Sequence, residues 1–156
     1  MTPCRGVQLT PAEQVHLTLV FVGNTGAKQL RGVIESVERA ASGIGPITLM
    51  PTRLATHPSG KSPKLVAVFT DAPPGLLELQ RRLARRLTPE PDRVDRVFVP
   101  HLTVGRFDPA TNAVAFDVPP VLAPFDVGEV RLMTSRQTAR GVVHDVVAAV
   151  RLTGRA

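Results

Sequence analysis

The feature that most constrains this chain is a tetrapeptide that occurs twice, as His16-Leu17-Thr18-Leu19 and as His101-Leu102-Thr103-Val104. Each copy lies in a stretch of alternating pattern. In the first, Val15, Leu17, Leu19 and Phe21 oppose His16, Thr18, Val20 and Val22, which is the period of a β-strand. Residues i and i+2 of a strand share a face, so each copy offers an imidazole and a hydroxyl side by side while its aliphatic residues anchor the other face. Threonine fills 14 of 156 positions and histidine four. A given histidine therefore has roughly a 9% chance of a threonine two places on, and two hits among four, both with aliphatic spacers, are a poor fit to chance. Two such strands brought together would set two imidazoles and two hydroxyls around one small volume.

The rest of the chain reads as α+β. The strand over 15–22 ends at Gly23-Asn24-Thr25-Gly26, where Asn24 or Thr25 can cap a helix over about 27–41. Its stripe is Leu30, Val33, Ile34, Val37 and Ala41, recurring at spacings of three and four. A strand over 47–54 is interrupted by Pro51, which argues for an edge or a bulge. Residues 64–70 form another strand, and Pro73-Pro74 opens a second helix over 75–87 with Leu76, Leu79, Leu83 and Leu87 inward. Strand patterns follow over 96–107, 112–118, 125–134 and 142–152, the last two joined through 135–141 by a loop longer than a tight turn. Strands outnumber helices, and hairpins mix with helical crossovers, so the sheets are not of the alternating parallel kind.

Which chemistry can two His-x-Thr strands serve? The chain holds one cysteine, Cys4, which excludes an internal disulfide framework and multi-cysteine metal sites and suits a reducing, cytoplasmic setting. Zinc needs about three protein ligands, and no carboxylate or thiol accompanies the two histidines on their faces. No nucleophile is placed beside either histidine, and Cys4 has no setting that would lower its pKa. A pair of imidazoles doing acid and base chemistry near neutral pH remains, with an unperturbed pKa of ~6.5 allowing either role. Threonine hydroxyls suit the non-bridging oxygens of a phosphoryl group.

The two motifs, each followed by glycine and separated by 85 positions, together with Phe125-Asp-Val-Gly-Glu-Val-Arg-Leu-Met-Thr-Ser135 and Gly141, resemble the two-histidine (2H) phosphoesterases. Within that family the resemblance is to the RNA 2′,3′-cyclic phosphodiesterases once named 2′-5′ RNA ligases, and it covers nearly the whole chain. It implies a single domain over 1–156 of two intertwined lobes, with two antiparallel sheets related by a pseudo-twofold axis, flanking helices and a cleft between the motif strands. It implies His16 as proton donor to the departing ribose oxygen and His101 as proton acceptor from water. Thr18 and Thr103 would hold phosphate oxygens, the product would be a 2′-phosphate, and no metal or other cofactor would be needed. Arg106 follows the second motif where the family favours arginine. Strand parity sets it opposite His101 unless Gly105 permits a bulge that turns it inward, so both a phosphate contact and a structural ion pair stay open. His144 stands where the family often has an aromatic residue and reads as an exposed hairpin histidine; His57, in a Pro-rich loop, reads as surface.

Only fifteen residues precede His16, whereas the resemblance implies a strand and helix ahead of the first motif. The expectation is a short N-terminal side, in a monomer or in a dimer that compensates for it. Nineteen Lys and Arg against thirteen Asp and Glu give a formal +6, of which 16 cations are Arg. That suits a polyanion such as RNA or a nucleotide carrying a 2′,3′-cyclic phosphate, although a GC-rich coding sequence yields the same composition. Arg81, Arg82, Arg85 and Arg86 lie outside the stripe of the second helix and read as a solvated face. No apolar run approaches the ~20 residues of a membrane span. Two alternatives accompany the cyclic phosphodiesterase: 2′-5′ ligation or 2′-5′ phosphodiesterase chemistry through the same histidines, and a truncated RNA-binding module of low activity.

Overall fold

The computed structural model describes residues 6–88, 97–139 and 141–154. Cys4 and the Pro-rich segment 89–91 lie outside them. The chain divides into two compact units, each assembled from three separate stretches. The first takes Met1–Thr18, Met50–Asp71 and Val99–Pro124, and the second takes Leu19–Leu49, Ala72–Phe98 and Phe125–Ala156. Helices and antiparallel sheets make up the described residues, so the α+β reading stands.

The first unit holds a five-stranded antiparallel sheet. Its members are β1 (Val7–Leu9), β3 (Pro51–His57), β4 (Leu65–Thr70), β5 (His101–Phe107) and β6 (Asp117–Val118), in the order β1-β5-β4-β3-β6. Valine, leucine and phenylalanine fill β4, the middle strand, and Ala67, Val68, Phe69 and Thr70 are buried there. Ala55, Ala67 and Phe69, with Leu65 packed against them, make a small core on one face. Pro100 sits just before β5, where its missing N–H costs no ladder bond; its carbonyl accepts from the Thr70 N–H at 3.2 Å.

In the second unit, helix α1 (Leu30–Ala41) packs against helix α2 (Pro74–Leu87) and against the hairpin of β8 (Glu129–Thr138) and β9 (Gly141–Arg151). A two-stranded sheet pairs β2 (Ile47–Leu49) with β7 (Phe125–Val127). Val37, Ala40 and Ala41 of α1 and Leu76, Leu79, Leu83 and Ala84 of α2 are buried, as are Ile44, Ile47, Leu49 and Leu152. Burying a Leu side chain such as Leu49 or Leu79 contributes about 1.5–3 kcal/mol. Pro74 occupies the first turn of α2, the helix position that tolerates a missing donor.

Several expectations need correction. The alternation over 15–22 predicts a strand, yet its regular pairing is a single antiparallel bridge, Leu17 to Leu102. Residues 47–54 predict one interrupted strand, and Pro51 instead marks the division between β2 of one unit and β3 of the other. Helix α1 starts at Leu30 with Gln29 at its N-cap, so neither Asn24 nor Thr25 caps it. The strands reach into the loop expected over 135–141, β8 running to Thr138 and β9 opening at Gly141 with φ +111°. That φ is in the left-handed range, which glycine adopts without strain. The strands of the described residues pair as one sheet of five and two of two.

Candidate active site

All five residues singled out from the sequence, His16, Thr18, His101, Thr103 and Arg106, fall in the first unit. His101 is the first residue of β5 and pairs with Phe69 of β4; Thr103 pairs with Ala67. On the outer edge of β5 the chain runs as β1, opposite Gly105 to Phe107, and then turns out through a short 3-10 turn, Ala12–Gln14. It returns to meet β5 again at the Leu17–Leu102 bridge. An antiparallel register of the two motifs would run His16 with Thr103 and Thr18 with His101, and of that register the Leu17–Leu102 bridge is formed.

The two imidazoles are held in the same way. His16 Nδ1 lies 2.8 Å from the Gln14 carbonyl oxygen, and His101 Nδ1 lies 2.9 Å from that of Val99. A carbonyl oxygen can only accept, so Nδ1 carries the proton and donates in both rings. Nε2 is therefore the nitrogen whose protonation can change, and one ring can give a proton there while the other takes one. Both rings are partly buried, which limits their orientation while leaving them reachable.

Arg106 joins the same face through a bulge. Leu65, Ala67 and Phe69 project from one side of β4, and their partners on β5 are Arg106, Thr103 and His101. Between Thr103 and Gly105 the partner on β4 advances by one residue only, so Val104 is the extra residue of a β-bulge. Without it, parity would put Arg106 on the opposite face. Gly105 makes the close approach possible, since a Cβ there would meet Val7 Cγ1 at 3.1 Å and the Gln8 carbonyl oxygen at 3.5 Å.

Three neighbours are not picked out by sequence reasoning. Arg53 and His57 of β3 project to this face too, as partners of Phe69 and Leu65. The His57 ring stacks at 6.2 Å and 24° from that of His101, and Phe69 lies 5.7 Å from His101. The Arg53 guanidinium carbon sits 4.2 Å above the Phe69 ring, and Arg53 Nη1 donates to Asp117 Oδ2 at 3.1 Å. His57 is exposed, as its loop composition suggests, but the β3–β4 register carries it to His101. A signal was available in the alternation Arg53, Ala55, His57, which shares the strand period with the motifs. His144 of the second unit is partly buried, and its Nδ1 lies 2.9 Å from Ser135 Oγ across the β8–β9 hairpin. No group of three or more His, Cys, Asp or Glu with metal-binding geometry occurs among the described residues. No helix there is long and apolar enough to cross a membrane.

Comparison with known proteins gives a consistent answer. Residues 4–139 match the family model of the 2′-5′ RNA ligase superfamily. The chain is 28% identical over 152 residues to an RNA 2′,3′-cyclic phosphodiesterase of Methanothermobacter thermautotrophicus, covering 94% of this chain and 83% of that protein. It is 26% identical over 143 residues to an RNA 2′,3′-cyclic phosphodiesterase of Archaeoglobus fulgidus, covering 89% and 80%. Among solved structures, TT0787 of Thermus thermophilus superposes with a TM-score of 0.80 at 25% identity, over 99% of this chain and 86% of that one. Escherichia coli LigT complexed with 3′-AMP superposes with a TM-score of 0.72 at 22% identity, over 97% and 83%, and so shares the fold.

Proposed function

The chain belongs to the 2′-5′ RNA ligase superfamily, and on that premise we propose that it hydrolyses 2′,3′-cyclic phosphodiesters, at RNA ends or on nucleotides, to a 2′-phosphate by two-histidine acid-base catalysis. The observation that carries the reading is the matched pair of imidazoles, each with Nδ1 donating to a carbonyl two residues upstream. Opening the cyclic ester in line requires removal of a proton from the attacking water on one side of phosphorus and delivery of one to the departing 3′ oxygen on the other. The water oxygen bonds to phosphorus, the phosphorus–O3′ bond breaks, and the two protons end on His101 and on the ribose hydroxyl. Both transfers run through Nε2.

In this reading His101 is the base and His16 the acid, Thr18 and Thr103 donate to the non-bridging oxygens, and Arg106 offsets the charge that builds there. The names of the two archaeal relatives support the substrate class. The steps need no metal, because both proton transfers and the charge stabilisation are assigned to side chains.

The test is turnover of a nucleoside 2′,3′-cyclic phosphate by chelator-treated enzyme, with the product identified as the 2′-phosphate. His16→Ala and His101→Ala are each expected to lose about 10²- to 10⁴-fold in rate. On an ester whose leaving group needs no proton, such as a nitrophenolate, the His16→Ala loss should shrink while that of His101→Ala persists. Near-normal turnover by either variant, or full dependence on added metal, would sink the reading. The family model is that of 2′-5′ RNA ligases, which favours assaying a 2′-5′ linked dinucleotide alongside; cleavage or formation of that bond through the same histidines is the second reading.

A further inference from the structure

Two helices of the second unit bring five arginines to one shallow concavity of about 360 Å³: Arg39 from α1 and Arg81, Arg82, Arg85 and Arg86 from α2. The helix dipole accounts for part of this. Arg39 lies in the last turn of α1 and Arg85 and Arg86 in that of α2, where cations are favoured. It does not account for their convergence. Arg81 with Arg85 and Arg82 with Arg86 are like-charge pairs at i,i+4, which destabilise a helix.

Among the described residues, one carboxylate answers these charges. Glu78 accepts from Arg81 Nε at 2.9 Å and from Arg82 Nε at 2.8 Å, and the two guanidiniums hold its carboxyl down at about 2. Arg82 Nη1 also donates to the Ala40 and Ser42 carbonyls at 3.2 and 2.8 Å, which ties α2 to the end of α1. Arg39, Arg85 and Arg86 make no ion pair among the described residues. Among the described residues, five guanidiniums stand against one carboxylate in this concavity.

We propose that this arginine concavity binds the phosphodiester backbone of an RNA chain. The proposal rests on the reading of the chain as an enzyme that acts on RNA. Guanidinium forks match phosphate oxygens in pairs. The lining has no aromatic side chain on which a base could stack, so recognition is of phosphates and is blind to sequence.

The experiment compares the wild type with Arg85→Glu/Arg86→Glu and with Arg85→Lys/Arg86→Lys. Three ligands serve: a nucleoside 2′,3′-cyclic phosphate, an oligoribonucleotide ending in that group, and the same oligomer ending in a plain 3′-hydroxyl, whose binding is read by fluorescence anisotropy. For the charge reversal, the affinity for the oligomer is expected to fall roughly tenfold and the log–log salt slope of its binding to flatten by about 1.4, at ~0.7 per lost phosphate contact on a single strand. kcat/KM for the mononucleotide should be unchanged, and the lysine variant should keep most of the oligomer affinity. Oligomer binding unaltered by charge reversal would overturn the proposal, as would an equal loss on both substrates. Tighter capture of an acidic peptide or of anionic vesicles than of the oligomer would overturn it in favour of those partners. If no variant turns over either substrate, the hydrolase reading falls while the 3′-hydroxyl oligomer still decides this one.

Discussion

The two copies of the tetrapeptide are alike in sequence and are held very differently. His101-Leu-Thr-Val runs in β5, paired with β4 along one edge and followed by residues that pair with β1 on the other. His16-Leu-Thr-Leu has a single antiparallel bridge, at Leu17, as its regular pairing. Yet each imidazole donates from Nδ1 to the carbonyl two residues before it, at 2.8 and 2.9 Å. The shared feature is local and the difference is long-range. Ring orientation and tautomer are thus set within three consecutive residues, whether or not a ladder supports them.

The strongest way to break this comparison is to delete each ring. If local geometry suffices, His16→Ala and His101→Ala should cost similar factors, about 10²- to 10⁴-fold in kcat, and the double variant should cost far less than the product, since the two act as a unit. A loss confined to His101→Ala would mean that the weakly paired copy does not take part. Deleting the hydroxyls is the next step down. On the proposed reading, Thr18→Ala and Thr103→Ala would each remove one hydrogen bond to a charged oxygen, worth about 1.5–3 kcal/mol, so kcat/KM should fall about 10- to 100-fold. Serine at either position should restore most of it; failure of Thr18→Ser alone would show that the unladdered copy needs the threonine methyl for its backbone placement.

Those effects can be forecast because the motif residues themselves are legible: the strand period of 101–107 and the i, i+2 spacing put imidazole and hydroxyl on one face, whatever strand lies alongside. Both helices are legible as well, since their apolar stripes carry the period, and α2 differs from expectation by a single residue at its start. The pairing of 15–22 is not. Alternation reports which side chains share a face, while pairing depends on a partner edge, and the available edge of β5 is taken first by Val7 to Leu9. The place of His57 is hidden for a related reason. Its neighbours Pro58, Ser59 and Gly60 read as loop, and only the β3–β4 register, a contact between residues distant in sequence from β5, brings its ring to His101. Arg106 needs knowledge of a bulge, and Gly105 is its one visible sign.

Stability offers a smaller and more direct contrast, through the two leucines that form the bridge. Both are partly buried. Leu102 lies in a strand with neighbours on both edges, so Leu102→Ala should cost about 2–3 kcal/mol and Leu17→Ala about 1 kcal/mol or less. With roughly 2–4 °C of Tm per kcal/mol at this chain length, thermal unfolding separates them. Equal shifts would show that the first copy is supported as firmly as the second by contacts other than a ladder.

The smallest expected effect tests whether β5 transmits anything to the histidine at its start. Gly105 is buried and its φ is not positive, so alanine is allowed by the backbone and the cost is one of space. The new Cβ would meet Val7 Cγ1 at 3.1 Å, the Gln8 carbonyl oxygen at 3.5 Å and Leu9 Cδ2 at 3.8 Å, which asks β1 to yield by a few tenths of an ångström. Gly105→Ala should therefore cost about 1 kcal/mol and lower Tm by roughly 2–4 °C. Arg106 is the next residue and shares the bulge, so KM for a phosphate ester should rise a few-fold through its displacement. The His101 ring is fixed by Val99, on the far side from the disturbance, and kcat should stay within about twofold of the wild type if each acid or base is oriented locally. A fall in kcat approaching that of His101→Ala would place the orientation of the imidazole in the sheet as a whole, and the likeness between the laddered and unladdered copies would then be one of appearance only.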